Sequence, residues 1–193
     1  MTPRDYALLA QEAYSATPDI GKADSASRAI VRTTAEGLCV AFPGSDNIPC
    51  WIADLDILTV NVPGAGDVHR GFWGAWQAIA PEVLSAIGDQ PVTLVGHSLG
   101  AAIAICAAIS LTLAGKPPLM VYGFEPPRVS PGAGVRTLLA KVRMLLTRDG
   151  LDLVTDLPPD WDQAAALTEI GTPFIPFPNV PDHMLDRVIP ALS

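Results

Sequence analysis

Residues 91–115 read PVTLVGHSLGAAIAICAAISLTLAG, and the reading of the other 168 residues starts from them. Val92, Thr93, Leu94 and Val95 are β-branched or aliphatic and predict a fully buried strand, while the Ala-rich run that follows, free of proline, predicts a helix. Between the two stands Gly96-His97-Ser98-Leu99-Gly100. A serine with glycine at both second neighbours, where a strand turns into a helix, matches the nucleophile-elbow pattern. Such a turn is so sharp that its central residue is held in a strained conformation, and two residues without Cβ let strand and helix close around it. The helix starting there aims free N–H groups and its positive end at the same spot, which gives Ser98 a built-in anion site. The five-residue pattern alone is weak, and a Gly-rich turn with an N-capping serine would share it. The flanking strand and helix strengthen it, and partners for Ser98 would decide it.

Composition bounds the rest. With 193 residues, 49% of them hydrophobic, the chain is expected to form one α/β domain over residues 1–193 with ample core. A net charge of −8 argues against a nucleic-acid partner, and no Lys/Arg-rich run suggests charge-driven membrane binding. The opening MTPRDYALLAQEAYS carries acids and polar groups at helical spacing and is not a secretory signal. The expectation is a cytoplasmic protein, or one exported without a visible signal. Leu99–Gly115 is uncharged but contains Ser110 and Thr112 and is short for a membrane span, so a buried central helix is the better reading. Cys39, Cys50 and Cys106 are odd in number and widely spaced, which argues against a disulfide framework, and Cys39 and Cys106 lie within apolar runs as small core residues, which favours a reducing compartment.

Along the chain, Pro3–Tyr14 predicts an amphipathic helix with Tyr6, Leu9, Ala10 and Ala13 on one face and Thr2 as N-cap, Asp5 completing the cap. Arg28–Thr34 and Gly37–Phe42 predict a hairpin turning at Ala35-Glu36, the second strand ending in Pro43-Gly44-Ser45. Residues 46–62 mix Trp51, Ile52 and Leu55 with Asp54 and Asp56, and fit either a cover over an apolar cleft or a docked helical turn followed by a strand at Ile57–Val62. Residues 62–67 read as a turn-rich connection and His69–Ile87 as a helix. Strands are expected at Leu119–Phe124 and Val142–Thr147, a helix near Gly134–Leu139, short strands at Ala165–Ile170 and Pro173–Phe177, and a closing helix over Pro181–Leu192. Strands alternating with helices give an α/β fold with a mostly parallel sheet, helices on both faces and an antiparallel N-terminal edge.

A serine hydroxyl needs a general base, and that base needs a carboxylate to fix its tautomer. The chain has three histidines. His97 adjoins Ser98 at a turn where neighbouring side chains diverge, and His69 begins a helix upstream. His183 follows an acidic loop, giving the order serine, acid, histidine of α/β-hydrolase folds. Asp152 is the preferred acid, with Asp149 and Asp156 as alternatives. The oxyanion donors would be the Leu99 amide and an amide from the Gly44-Ser45 turn.

The segments Phe42-Pro43-Gly44-Ser45, Trp51-Ile52-Ala53-Asp54-Leu55, Val68-His69-Arg70-Gly71-Phe72, Gly96–Ala101, Tyr122–Val129, and Asp152-Leu153-Val154 with Leu157-Pro158-Pro159 resemble, in order, those of the class 3 lipases. The resemblance implies an α/β-hydrolase fold and hydrolysis of acyl esters of the glycerolipid type. It implies Ser98 as nucleophile, Asp152 as acid through the D-x-V-x-x-L-P-P stretch, His183 as base, and Ser45 and Leu99 at the oxyanion. Trp51, Ile52 and Leu55 fall on the family's lid, which implies transient contact with a lipid surface. Three positions depart: Pro43 stands where Arg is common, Cys50 where Asn precedes the Trp, and Glu125-Pro126-Pro127 where a small residue precedes Pro-Arg. The chain is also shorter than the secreted lipases, which predicts a short or open acyl cleft. The expected reaction is two-step ester hydrolysis needing no metal or organic cofactor. The same triad would serve a phospholipase, thioesterase or acyltransferase, and a catalytically silent binding protein is the alternative of another class.

Overall fold

The computed structural model describes residues 1–45, 47, 56–174 and 180–192. Helix α1 (Pro3–Ser15) starts where its cap dictates. The Asp5 amide donates to Thr2 Oγ1 and the Thr2 amide to the Asp5 carboxylate at 2.7 Å, satisfying two donors that the first turn would otherwise leave open. Its buried face is Tyr6, Ala7, Ala10 and Ala13, with Leu9 partly buried and packed against the same cluster. After the two-residue strand β1 (Ile20–Gly21) come β2 (Arg28–Thr34) and β3 (Gly37–Phe42), the expected antiparallel hairpin.

Strands β4 (Thr59–Val62) and β5 (Gly66–His69) pair with each other as a separate ribbon. Sequence reading missed β5 as part of a turn-rich connection, because four residues beginning Gly66-Asp67 carry little strand signal and owe their conformation to pairing across Pro63-Gly64-Ala65. Helix α2 (Arg70–Ile87), strand β6 (Val92–His97), helix α3 (Leu99–Leu113), strand β7 (Met120–Phe124), helix α4 (Gly134–Leu138) and strands β8 (Met144–Asp149) and β9 (Leu167–Ile170) follow.

The main sheet runs β1-β2-β3-β6-β7-β8-β9, parallel from β3 onward with β1 and β2 forming the antiparallel edge. Both faces are covered. The two-residue period of β3 sends Val40 and Phe42 to the core under α2 and α3, and Cys39 and Ala41 to the core under α1 and the final helix α5 (Leu185–Ala191). Strand β6 is buried along its whole length, and α3 is buried from Leu99 through Ile109, which is why neither stretch shows an amphipathic pattern. The α2–α3 contact is fixed in part by Trp76, whose indole N–H donates to Ser110 Oγ at 2.7 Å. Among the described residues no helix is long and apolar enough to cross a membrane.

The closing segment is not the continuous helix expected. A 3₁₀ turn over Pro181–His183 precedes α5, with Met184 extended between them (φ −86°, ψ 135°). The break leaves the His183 carbonyl free of the helix ladder, and it accepts a hydrogen bond from another part of the chain. Pro173 and Phe174 are not in a strand, and the rest of the expected Pro173–Phe177 strand lies outside the described residues, as do Trp51, Ile52, Leu55 and Cys50.

Candidate active site

Ser98 sits between β6 and α3 with φ +56° and ψ −127°, in the left-handed region that L residues rarely occupy. The surrounding close packing explains how this backbone is held. A Cβ at Gly96 would meet the backbone of Gly100 and Ala101, and one at Gly100 would meet that of Phe42 and Pro43. The Ser98 amide donates to the Phe124 carbonyl at 2.9 Å, tying the elbow to the end of β7. Ser98 is fully buried, and its Oγ has no hydrogen-bond partner among the described residues.

His183 is carried by the 3₁₀ turn before α5, and its Nδ1–H donates to Asp152 Oδ2 at 2.8 Å; both side chains are 1% exposed. With Nδ1 protonated, Nε2 presents a lone pair, and that buried atom too lacks a partner among the described residues. Asp152 is oriented from its other side by the Val154 amide, which donates to Oδ1 at 3.0 Å. Burial pushes the Asp152 carboxyl up, but His183, the Glu125 carboxyl and the Val154 amide outweigh it and hold it below the ordinary carboxylate range.

The two alternative acids are engaged elsewhere. Asp149 pairs with Arg187 Nε at 3.2 Å, and Asp156 with Arg128 and Arg148, each at 3.0 Å. Of the three carboxylates, Asp152 is the one hydrogen-bonded to His183.

His97 does not serve Ser98 but supports His183. Its Nε2–H donates to the His183 carbonyl at 2.7 Å, so its Nδ1 must accept, and it takes the Tyr14 hydroxyl proton at 2.6 Å. Burial and then the neighbouring His183 lower His97 to about 3, which keeps it neutral. Nothing in the sequence pattern pointed to this Tyr14–His97–His183 chain, since it links residues 83 and 86 positions apart. His69 likewise has a structural duty. Its Nδ1 accepts the Gly71 and Phe72 amides at the start of α2 while Nε2–H donates to the Asp56 carbonyl at 2.7 Å.

Of the two stretches expected to supply oxyanion donors, one opens α3 and the other packs against the elbow. Leu99 is the first residue of α3, where the amide has no partner within the helix. The Gly44-Ser45 turn lies so close that a Cβ on Gly44 would stand 2.8 Å from the His97 carbonyl and 3.0 Å from Ser98 Cβ. The Ser45 hydroxyl itself is occupied, bridging the Asn47 amide and carbonyl at 3.2 and 3.3 Å. A cavity of about 240 Å³ opens here, lined by Gln11, Tyr14, Ser45, His97, Met184 and Leu185 among others.

Glu125 is the site residue that sequence reading did not assign. It is fully buried at φ +55°, and its carboxyl accepts from the Asp149 amide at 3.0 Å and from the Thr147 hydroxyl at 3.3 Å. The available signal was its departure from the pattern around Pro127-Arg128.

The family model described as Lipase (class 3) matches residues 39–161. The chain belongs to the class 3 lipases. This class 3 lipase chain is 31% identical over 128 residues to the secreted mono- and diacylglycerol lipase A of Penicillium cyclopium, a match covering 61% of the chain and 42% of that relative. It is 30% identical over 134 residues to a lipase of Rhizomucor miehei, covering 62% of the chain and 37% of the relative. The chain thus spans about two-fifths of the length of the curated relatives it matches. A solved structure of Rhizomucor miehei triacylglyceride lipase superposes with a TM-score of 0.75 at 22% identity, over 94% of this class 3 lipase chain and 91% of that one. The likeness establishes the shared fold, with its mostly parallel sheet clad in helices on both sides.

Proposed function

We propose that this chain hydrolyses carboxylic esters of the glycerolipid type through an acyl-enzyme formed on Ser98. The observation that supports this most is the pair of buried atoms without partners among the described residues, Ser98 Oγ and His183 Nε2, with the 2.8 Å His183–Asp152 hydrogen bond behind the latter. Buried polar groups are almost always satisfied, and a hydroxyl and an imidazole nitrogen both left open fit a site that awaits a reacting group.

His183 Nε2 takes the Ser98 proton as Oγ attacks the ester carbonyl, and Asp152 stabilises the imidazolium that results. The oxyanion is held by the Leu99 amide and the Ser45 amide, fixed donors that need no rearrangement as charge develops. The intermediate collapses with His183 returning its proton to the leaving alcohol, and water activated by the same imidazole then releases the acid.

The substrate class follows the relatives named as mono- and diacylglycerol lipases. Transient contact with a lipid surface is supported by Leu151, Phe174, Val180 and Met184, large apolar side chains exposed on the segments around Asp152 and His183.

The test is hydrolysis of p-nitrophenyl esters from acetate to palmitate by the chain and by Ser98→Ala, together with fluorophosphonate labelling. Activity and labelling that both vanish in Ser98→Ala support the assignment. Activity that survives the substitution refutes it.

A further inference from the structure

His183 is preceded in the chain by another ionisable residue, Asp182, and the fold buries it completely. The 3₁₀ turn that carries both is three residues long, and α5 starts beyond the extended Met184. So short a turn does not set its own place against the sheet; contacts from outside it must.

Asp182 supplies such contacts. Its Oδ2 accepts the Leu151 amide at 3.0 Å, and its two oxygens lie 3.0 and 3.1 Å from the Phe174 amide. Leu151 is the residue before Asp152, as Asp182 is the residue before His183. One carboxylate therefore ties the turn bearing the base to the turn bearing the acid, one residue back from the 2.8 Å bond between His183 Nδ1 and Asp152. Room for it is left by Gly150 at φ +53°, where a Cβ would stand 2.6 Å from Asp182 Oδ2.

Arg187, in the first turn of α5, closes the arrangement. Its Nη1 lies 3.3 Å from Asp182 Oδ1, while Nε donates to Asp149 Oδ2 at 3.2 Å and Nη2 to the Thr172 carbonyl at 2.6 Å. The guanidinium also stands over the Phe174 ring, 5.7 Å from its centre. A planar fork can meet two carboxylates and a carbonyl at once, which the single ammonium of a lysine cannot.

Stability alone does not account for the pair. Apolar side chains of similar size often replace a buried ion pair at no loss of stability. They would leave the Leu151 and Phe174 amides without this acceptor, and the two turns free to slide past each other. We infer that Asp182, locked by Arg187, is a positioning residue that sets His183 against Asp152. This deepens the hydrolase reading and rests on His183 as its base.

Asp182→Asn keeps the shape but puts an NH₂ where an oxygen now accepts, so it cannot receive both amides and hold Arg187 as well. Arg187→Met keeps an aliphatic stem at a side chain 29% exposed and removes the fork. Each is expected to lower kcat on p-nitrophenyl butyrate about tenfold or more with KM within about twofold, since a displaced base acts on the chemical step. The proton NMR resonance of the hydrogen between His183 Nδ1 and Asp152, assigned by its loss in Asp152→Asn, should broaden or vanish in both. Val83→Ala, a cavity toward the end of α2, is the control for lost stability. It should lower the melting temperature while keeping both kcat and the resonance.

A kcat or a resonance retained at the wild-type level in folded Asp182→Asn or Arg187→Met would overturn this role, as would the loss of both in Val83→Ala. Should Asp182→Asn fail to fold, Arg187→Met at its partly exposed position decides alone. A wild type that fails to label with fluorophosphonate at Ser98 would sink the hydrolase reading, while the resonance would still report whether Asp182 sets His183 on Asp152.

Discussion

Gly100→Ala is a substitution of one methyl group whose effect can be worked out from the packing. The added Cβ would stand 2.7 Å from both Phe42 C and Pro43 O, and nearer still to the Phe42 carbonyl oxygen. Cβ contacts below 3.0 Å essentially do not occur, and every atom met here is backbone, so no side chain can turn aside. The start of α3 and the end of β3 must therefore separate by about 1 Å, an overpacking that costs about 1–3 kcal/mol. For a domain of this size that lowers Tm by roughly 2–12 °C. The same shift carries Ser98 and Leu99 away from the Gly44-Ser45 turn, and a misplacement of about 1 Å is expected to cut kcat/KM by about 10²-fold. Gly74→Ala is the matched control. Gly74 lies inside α2 with nothing within 4 Å of an added Cβ, and alanine there should stabilise by about 1 kcal/mol with activity retained. The assay is thermal melting together with p-nitrophenyl butyrate kinetics on both variants. Wild-type Tm and kcat/KM in Gly100→Ala would show that the elbow tolerates a gap between strand and helix, and the reasoning from close packing would fail.

Asp152→Asn should lower kcat by about 10⁴-fold with the fold intact, as the histidine loses its tautomer partner. Asp156→Asn should leave kcat within about threefold, and a severe loss in Asp149→Asn instead would mean the acid has been misassigned. Acid should also destabilise the fold through His97. Its folded value lies at about 3 against an ordinary 6.5, so below about pH 6.5 the unfolded chain binds a proton that the folded chain refuses. That contribution is complete above pH 6.5 and is lost on acidification at about 1.4 kcal/mol per pH unit, until His97 itself titrates. Urea midpoints at pH 7, 6 and 5 measure it, and His97→Gln should flatten the slope; an unchanged slope would rule His97 out as its source.

The strand, elbow and helix of residues 91–115 were legible because β6 and α3 are buried on every side, and uninterrupted hydrophobicity needs no partner to be recognised. The hairpin of β2 and β3 was legible for the related reason that its pairing is local. His183 could be proposed from the order of serine, acid and histidine along the chain, and the structure sets its Nδ1 2.8 Å from Asp152. The choice among Asp149, Asp152 and Asp156 was harder, since three carboxylates within eight residues differ only in where the turn points them. The Val154 amide, donating back to Asp152, is what aims that one at His183. Glu125 was visible only as a departure from pattern, because its significance lies in a contact between the ends of β7 and β8. The break at Met184 was hidden by helix-compatible residues on both sides of it, and its cause is tertiary, the bond from His97 to the His183 carbonyl.

The two hydrophobic clusters on opposite faces of the sheet divide the site between them. The helix that follows Ser98 packs in one, while the turn bearing His183 is held by Leu185, Val188 and Ile189 in the other. On the proposed triad, competence for turnover is thus a logical conjunction of two layers. If α1 and α5 peeled away, Ser98 would remain seated between β6 and α3, yet His183, its proposed base, would be gone. Such a species would keep most of its helical signal and be inert. Activity therefore reports the docking of the outer layer more sensitively than any spectroscopic average over the whole chain.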